Sequence, residues 1–445
     1  MKEWFKNRYT HGIVMNKKKK RYYFDYAATT PVDRRVLKKM LPYFTEDFGN
    51  PSNLYSIGHS AKKAVADATK KITDILGCKA EEFVFTGSAT ESDNLAIIGT
   101  ARANKSRGNP STGLRAGRII VSNVEHKGIL SACEALKKEG FEVIDLKINK
   151  DGFVDEKELA GLIDSKTILV SIAYADSETG TIQPIRKLSN IIKEYRKKNN
   201  TGLPYFHTDA AQVVNYLDIN VNNLGVDLMT LSAQKIYGPK GIGGLYIRRG
   251  TAVQPIIYGG GQQFNIRSGT ENVPGIVGFG EAMELALKER GRESVRISIL
   301  RDKLQKGILS KIDKVLVNGS EKKRLPNFTN LSILDIEGEA MLLYLDNKGI
   351  IVNTGSACNS QSLEPSYILQ AFGRPYEYIH GSLRFTLGRY TTKKDIDYVA
   401  RYLPGIVKKL RLISPLKLDS NDQKDISDKR AFIGGQTPHF LRKKK

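Results

Sequence analysis

The run Ser232-Ala233-Gln234-Lys235-Ile236-Tyr237-Gly238-Pro239-Lys240-Gly241 places a lysine directly after the apolar segment Asp227–Ser232, on a turn of small residues. An amine at the end of a strand can hold an aldehyde cofactor as a Schiff base. Cys358, 123 positions after Lys235, lies in Asn353-Thr354-Gly355-Ser356-Ala357-Cys358-Asn359-Ser360 and offers a thiol that can accept an atom from a substrate. Neither run is one that a packed core requires.

Around Lys235 the chain alternates short apolar segments with helical stretches. Strands are expected at Phe83–Thr86, Arg118–Ser122, Phe141–Leu146, Thr167–Ala173, Tyr205–Thr208, Asp227–Ser232 and Gly244–Ile247. This alternation predicts an α/β fold whose mostly parallel sheet is covered on both faces. The chemically able residues fall just after these strands, where open α/β sheets hold ligands. Residues 60–76 carry apolar side chains at helical spacing and stop at Gly77. A helical stretch from about Val277 to Lys311 leads into a second, smaller α/β unit holding Asn330–Leu334, a helix near Glu339–Leu345, the Cys358 loop and Ser382–Phe385. The expected division is a basic segment at 1–21, a large cofactor-binding domain at 22–275, a small domain at 276–415 and a charged tail at 416–445. The first residues of the large domain are candidates to pack on the small one.

At 445 residues and 40% hydrophobic content, the chain is long enough for two cores. No stretch approaches about 18 consecutive apolar residues, so no membrane span is expected. Cys78, Cys133 and Cys358 are odd in number and far apart, which fits a reducing compartment and gives no zinc-ligand spacing. No metal site is expected. The net charge is +23, of which residues 1–21 and the last four residues carry 11. Basic ends can bind an acidic partner or nucleic acid, yet no nucleic-acid-reading motif accompanies them. The N-terminal charges precede no apolar signal segment, and a cytoplasmic location is expected.

Four constellations add chemistry. Thr86-Gly87-Ser88-Ala89-Thr90-Glu91-Ser92 follows a strand and exposes N–H groups suited to a phosphate; the plainer reading is an ordinary helix cap. Asp209, after Tyr205–Thr208 and three positions before Gln212, can pair with a protonated ring nitrogen or merely cap a helix. His126 can stack on a planar cofactor or shuttle a proton, though a lone histidine in such a turn is more often structural. Arg267 and Arg384 can each read a carboxylate with two N–H groups or form a structural ion pair. Jointly, a phosphate turn, a ring-nitrogen acid, a Schiff-base lysine and a carboxylate-binding arginine specify pyridoxal phosphate.

With these residues in place, the sequence resembles the cysteine desulfurases of the class V aminotransferase-like, fold-type I pyridoxal-phosphate enzymes. The matching runs include Tyr23-Phe24-Asp25-Tyr26-Ala27-Ala28-Thr29-Thr30-Pro31-Val32, Gly49-Asn50-Pro51-Ser52, Ala89–Ala96, Glu125-His126-Lys127, the Lys235 and Gly355–Cys358 runs, and Leu387–Thr392. The continuation Ser362–Tyr367 looks like the long cysteine loop of the class serving iron–sulfur assembly and tRNA thiolation. The resemblance implies that Lys235 holds the cofactor and moves the substrate α-proton. Asp209 would pair with the pyridine nitrogen, Gln212 and Ser177 would lie on the ring's O3′ side, and His126 would stack over the ring. Thr90, Ser232 and Gln234, with Thr270 of the neighbouring subunit, would surround the phosphate, which implies a homodimer. Arg384 and Asn50 would bind the carboxylate of L-cysteine. Cys358 would take the sulfur as a persulfide and pass it to an acceptor protein, leaving alanine.

Three departures from the family pattern stand out. Gln234 replaces a histidine, Asp176-Ser177 replaces paired asparagines, and Gly87-Ser88 replaces Ser-Gly. The last is expected to alter the phosphate turn, because glycine's special backbone angle would move. Weaker cofactor retention is the combined expectation. Two other readings are another lyase or aminotransferase of the same fold, which leaves Cys358 without a task, and a degenerate paralogue acting as a scaffold.

Overall fold

The computed structural model describes residues 20–105, 116–355 and 365–414. Most of the basic lead, nearly all of the region beyond Ile413, and Cys358 with its neighbours 356–364 lie outside the described residues.

Among the described residues the strands are, in chain order, β1 (Tyr22–Tyr23), β2 (Phe83–Thr86), β3 (Arg118–Ser122), β4 (Glu142–Leu146), β5 (Thr167–Ser171), β6 (Tyr205–Asp209), β7 (Leu228–Ser232), β8 (Gly243–Ile247), β9 (Val315–Asn318), β10 (Phe328–Ile333), β11 (Ile350–Ile351) and β12 (Ser382–Thr386). The large sheet has the order β2-β8-β7-β6-β5-β3-β4. Its pairs from β7 through β4 are parallel, and β8 runs antiparallel to both β2 and β7. β5 and β7 are buried along their whole length, as strands covered by helices on both faces must be. The sheet therefore separates two apolar layers. One contains Val170, Phe206, Met229 and Phe279, and the other Ile119, Val121, Leu169 and Leu245.

The second sheet is antiparallel, in the order β12-β10-β9. β1 pairs in parallel with β11, and Asp25 bridges to Thr386, so the start of the described chain lies against the second sheet. A single 37-residue helix, Val273–Leu309, joins the two cores. Its first half buries Ile276, Phe279 and Met283 in the large core, and its second half buries Ile297, Leu304 and Ile308 in the small one. At about 1.5 Å per residue it spans roughly 55 Å. Each large apolar side chain buried along it contributes about 1.5–3 kcal/mol.

Local chemistry sets the boundaries. The helix Ser56–Leu76 stops at Gly77, whose φ of 71° provides the left-handed cap. The expected strands Thr167–Ala173 and Asp227–Ser232 are found shorter, at Thr167–Ser171 and Leu228–Ser232; the first ends two residues early at its C-terminal end, and the second begins one residue late. The helices Ile185–Lys198 and Lys393–Ile413 and the strand β9 were not singled out from the sequence.

Candidate active site

Adjacent parallel strands bring distant residues together at their C-terminal ends. Asp209 ends β6, and Lys235 closes the short turn Ala233–Lys235 that leaves β7. Thr30 holds this turn, its hydroxyl donating to the Gln234 carbonyl and accepting from the Tyr237 N–H, both at 2.8 Å. Tyr237 adopts φ 64°, a left-handed conformation that costs a non-glycine residue about 1–2 kcal/mol. The Thr30 bonds offset that cost. Lys235 Nζ rests on the Ala27 carbonyl and donates to the Ala28 carbonyl at 2.8 Å, while Gln212 Nε2 donates to the same Ala27 oxygen at 3.1 Å.

His126 caps the helix Lys127–Lys138, with Nδ1 accepting from the Gly128 N–H at 3.0 Å. In the neutral ring this leaves the proton on Nε2. Burial lowers the His126 pKa; the Asp209 charge opposes that shift and Lys235 adds to it. Burial raises the Asp209 pKa, against the Ala211 N–H at 2.8 Å and the charges of His126 and Lys235. Asp209 and His126 thus influence each other's charge, and the Lys235 charge acts on both.

The layer beneath them is polar and buried. His207 on β6 lies between the hydroxyls of Ser171 on β5 (2.9 Å) and Thr230 on β7 (3.1 Å), and burial pushes its pKa down to about 3. This neutral ring links three neighbouring strands. Glu125 accepts from the Ser122 hydroxyl and the Ala173 N–H, both at 2.6 Å, and burial raises it to about 8. Burial, with the Asp209 charge, raises Asp93 well above its ordinary value.

The phosphate turn opens the helix Ala89–Asn94. Ser88 caps it, accepting from the Glu91 N–H at 3.1 Å. The expected disturbance by the Gly87-Ser88 order is not found. Gly87 has no left-handed backbone angle, and Ser88 is extended at φ −171° and ψ 167°. What glycine supplies at 87 is space, since a Cβ there would meet Glu91 Oε2 at 2.7 Å. Glu91 takes the Gly87 N–H at 2.8 Å and pairs with Arg267, so Arg267 serves as a structural ion-pair partner. Buried Ser232 lies opposite Gly243 in the sheet, and a Cβ on Gly243 would strike the Ser88 backbone at 2.5 Å. The fold thereby joins Ser232 to the turn. Gly128 lies against both Thr90 and His126.

Arg384 on β12 is buried. It donates from Nη2 to Asp25 Oδ1 and from Nη1 to the Ser177 carbonyl, each at 2.8 Å. Its Nε finds no hydrogen-bond partner among the described residues. Asn353 Nδ2 donates to the other Asp25 oxygen at 3.0 Å. Asp176 shapes the segment carrying Ser177, accepting from the N–H groups of Glu178, Thr179 and Thr181 at 2.6–2.9 Å. Asn50 Oδ1 accepts from the Ser52 N–H within its own turn, and Thr270 is exposed. The Gln234 side chain is half-buried beside Lys235. Sequence reading assigned no role to Asp25, Glu178 or Asp93. The Tyr23-Phe24-Asp25 run was the only available signal for Asp25, and the Arg384 contact appears only after folding.

A group bearing an aldehyde, a basic ring nitrogen and a phosphate meets its chemical counterparts here. Lys235 supplies an amine, Asp209 a carboxylate, and Ser232 and the Ser88–Thr90 helix start supply donors. Fold and site together define a fold-type I, pyridoxal-phosphate-dependent enzyme. The chain belongs to the aminotransferase class-V family, whose model matches residues 22–399, and within it to the cysteine desulfurases. It is 47% identical over 399 residues to "Cysteine desulfurase IscS" of Dictyoglomus turgidum, covering 90% of this chain and 98% of the relative. The protein of the same name from Methanosarcina thermophila is 47% identical over 405 residues, covering 91% of this chain and 96% of that one. Among solved structures, a "NIFS-LIKE PROTEIN" is 34% identical with a TM-score of 0.80, covering 88% of this chain and all of that one. "SspA in complex with cysteine" is 34% identical with a TM-score of 0.71, covering 83% of this chain and 99% of that one.

Proposed function

We propose that this enzyme converts L-cysteine to L-alanine and moves the sulfur, through a persulfide on Cys358, to an acceptor protein of iron–sulfur assembly or tRNA thiolation. The grouping of Lys235, Asp209 and His126 at the ends of β6, β7 and β3, in a chain so similar to cysteine desulfurases, carries this reading.

Pyridoxal phosphate, when bound, supplies an electron sink for the substrate's α-carbon. Lys235 would hold it and would move the α-proton. Asp209 would serve its ring nitrogen, Gln212 and Ser177 its O3′ side, and neutral His126 its ring. Thr90, Ser232 and Gln234 would hold the phosphate, with the partner subunit's Thr270 in a homodimer. Arg384 and Asn50 take the substrate carboxylate. The Cys358 thiolate attacks the substrate sulfur, forming S–S as the carbon–sulfur bond breaks. The carbon retains the electron pair and gains a proton, giving alanine.

A cytoplasmic placement suits a thiol nucleophile that must stay reduced between turnovers, in a chain whose three cysteines lie far apart. Among the described residues no helix is long and apolar enough to cross a membrane. Alanine release from L-cysteine with pyridoxal phosphate and a thiol reductant, compared with Cys358→Ser, tests the functional reading. Alanine from the wild type and almost none from the variant is expected; equal release from both would defeat it.

A further inference from the structure

Glu178 lies between the two described ends of the stretch that contains Cys358. On one side Gly355 presses on it so closely that a Cβ at 355 would stand 1.7 Å from Glu178 Oε1. On the other side the Ser366 hydroxyl donates to Glu178 Oε2. Ser366 also caps the helix Tyr367–Ala371, accepting from the Leu369 N–H at 3.2 Å. The carboxylate thus joins one end of the stretch to the start of the helix that follows the other.

Glu178 is itself held firmly. Its N–H donates to Asp176 at 2.9 Å, and its carbonyl accepts from Asn330 Nδ2 at 3.3 Å. Asn330 lies opposite Arg384 in the β10–β12 ladder. The neighbouring Ser177 carbonyl takes the Arg384 Nη1–H. A second tie reinforces the far end, where the Tyr367 hydroxyl donates to the Glu125 carbonyl, one residue before His126, at 2.7 Å. Glu178 Oε1 is buried and accepts no hydrogen bond among the described residues. Burial raises its carboxyl to about 7, against the Ser366 bond and the Arg384 charge and with the Asp176 charge. A merely structural site would be filled more cheaply by an apolar side chain, since a buried carboxyl half-satisfied by hydrogen bonds costs folding energy.

We propose that Glu178 is a positioning residue that fixes both ends of the Cys358 stretch relative to Arg384. On the function proposed above, the ends it fixes are those of the stretch that carries the sulfur-accepting thiol. Attack at sulfur demands an in-line approach, and a misplacement of about 1 Å can cost up to roughly a hundredfold in rate.

The test uses the holoenzyme with Glu178→Ala and Glu178→Gln, reading alanine release and iodoacetamide alkylation of Cys358, with partly buried Cys78 as internal reference. Glu178→Ala is expected to lower kcat by about ten- to a hundredfold with KM within about twofold, and to change Cys358 alkylation while leaving Cys78 unchanged. Glutamine keeps the volume and an acceptor for Ser366, and should restore kcat to within about threefold. Wild-type kcat and alkylation in Glu178→Ala would overturn the proposal. So would a rise in KM accompanied by faster Cys78 alkylation, the mark of general loosening. A double-mutant cycle with Gly355→Ala gives a further check, because removing the carboxylate makes room for the new methyl. The paired variant should lose less than the product of the single losses, and strictly additive losses would count against the contact. If the wild type releases no alanine, the functional reading fails, and the alkylation arm alone then decides whether Glu178 anchors the stretch.

Discussion

Asp25 and Arg384, 359 positions apart in the chain, form a buried ion pair with 2.8 Å between Oδ1 and Nη2. The parallel bridge of Asp25 to Thr386 sets the two residues side by side. Asn353 satisfies the second Asp25 oxygen, so the carboxylate is held from two directions. The guanidinium is thereby oriented before any substrate arrives. Removing one member of a buried pair leaves the other charge uncompensated, which typically costs about 3–5 kcal/mol. Asp25→Ala is therefore expected to lose stability of that order in urea unfolding, and an unchanged midpoint would contradict the pairing.

Lys235→Ala should abolish the covalent absorbance of bound pyridoxal phosphate. It should also lower alanine release by about 10²–10⁴-fold through loss of proton transfer. Asp209→Asn should keep the covalent link and still lose much of the rate. A spectrum unchanged in Lys235→Ala would move the cofactor lysine elsewhere.

Cofactor retention is expected to be weaker than in relatives that carry histidine and asparagine at positions 234 and 177. Gln234→His and Ser177→Asn should each slow cofactor loss on dialysis. A regained hydrogen bond of about 0.5–1.5 kcal/mol corresponds to roughly two- to tenfold in affinity. Stoichiometric cofactor remaining on the wild type after extensive dialysis would refute the expectation.

The buried carboxyls make stability depend on pH with a definite sign. Glu125 is raised from 4.5 to about 8 and Glu178 from 4.5 to about 7, so the folded state holds protons that the unfolded state releases. Their stabilising contribution is complete below pH 4.5 and declines as pH rises through about 7 and then about 8. Each group can add a slope of up to about 1.4 kcal/mol per pH unit. Denaturation midpoints followed across this window should fall less steeply in Glu125→Gln than in the wild type. Parallel curves would show that Glu125 is already charged at neutral pH.

His126 titrates below its ordinary 6.5. Alanine release should therefore show no loss attributable to imidazole protonation until the pH falls below that value. A rate limb centred above 6.5 that disappears in His126→Gln would mean that the Asp209 charge outweighs burial and raises the ring's pKa.

Much of the large sheet was legible because its signal is local. Arg118–Ser122 and Phe83–Thr86 coincide with β3 and β2, since both runs are short and rich in β-branched or aromatic residues. The lysine turn, Asp209 and His126 were legible for the same reason, each following a readable strand. The task of glycine at 87 was not, because it is to leave space, and that depends on which atoms approach it. The nearest of those atoms is Glu91 Oε2. Arg267 and Arg384 look alike as candidate carboxylate readers, and folding pairs each with a carboxylate of its own, Glu91 and Asp25, contacts that no local run of sequence states.

The sequence by itself determined the alternating strand–helix pattern, the lysine turn and the cysteine-bearing run, because propensity, apolar spacing and side-chain chemistry are properties of neighbouring residues. Tertiary structure alone decided that Asp25 pairs with Arg384, that Glu178 lies between Gly355 and Ser366, and that Thr30 holds the Lys235 turn. The hydrogen bonds among these contacts join residues 188 to 359 positions apart, and pairing across such separations depends on how the two cores and the joining helix pack. Burial then fixed the charges. A carboxyl in the core pays desolvation in proportion to the water it loses, and the sequence does not state which carboxyls lose theirs.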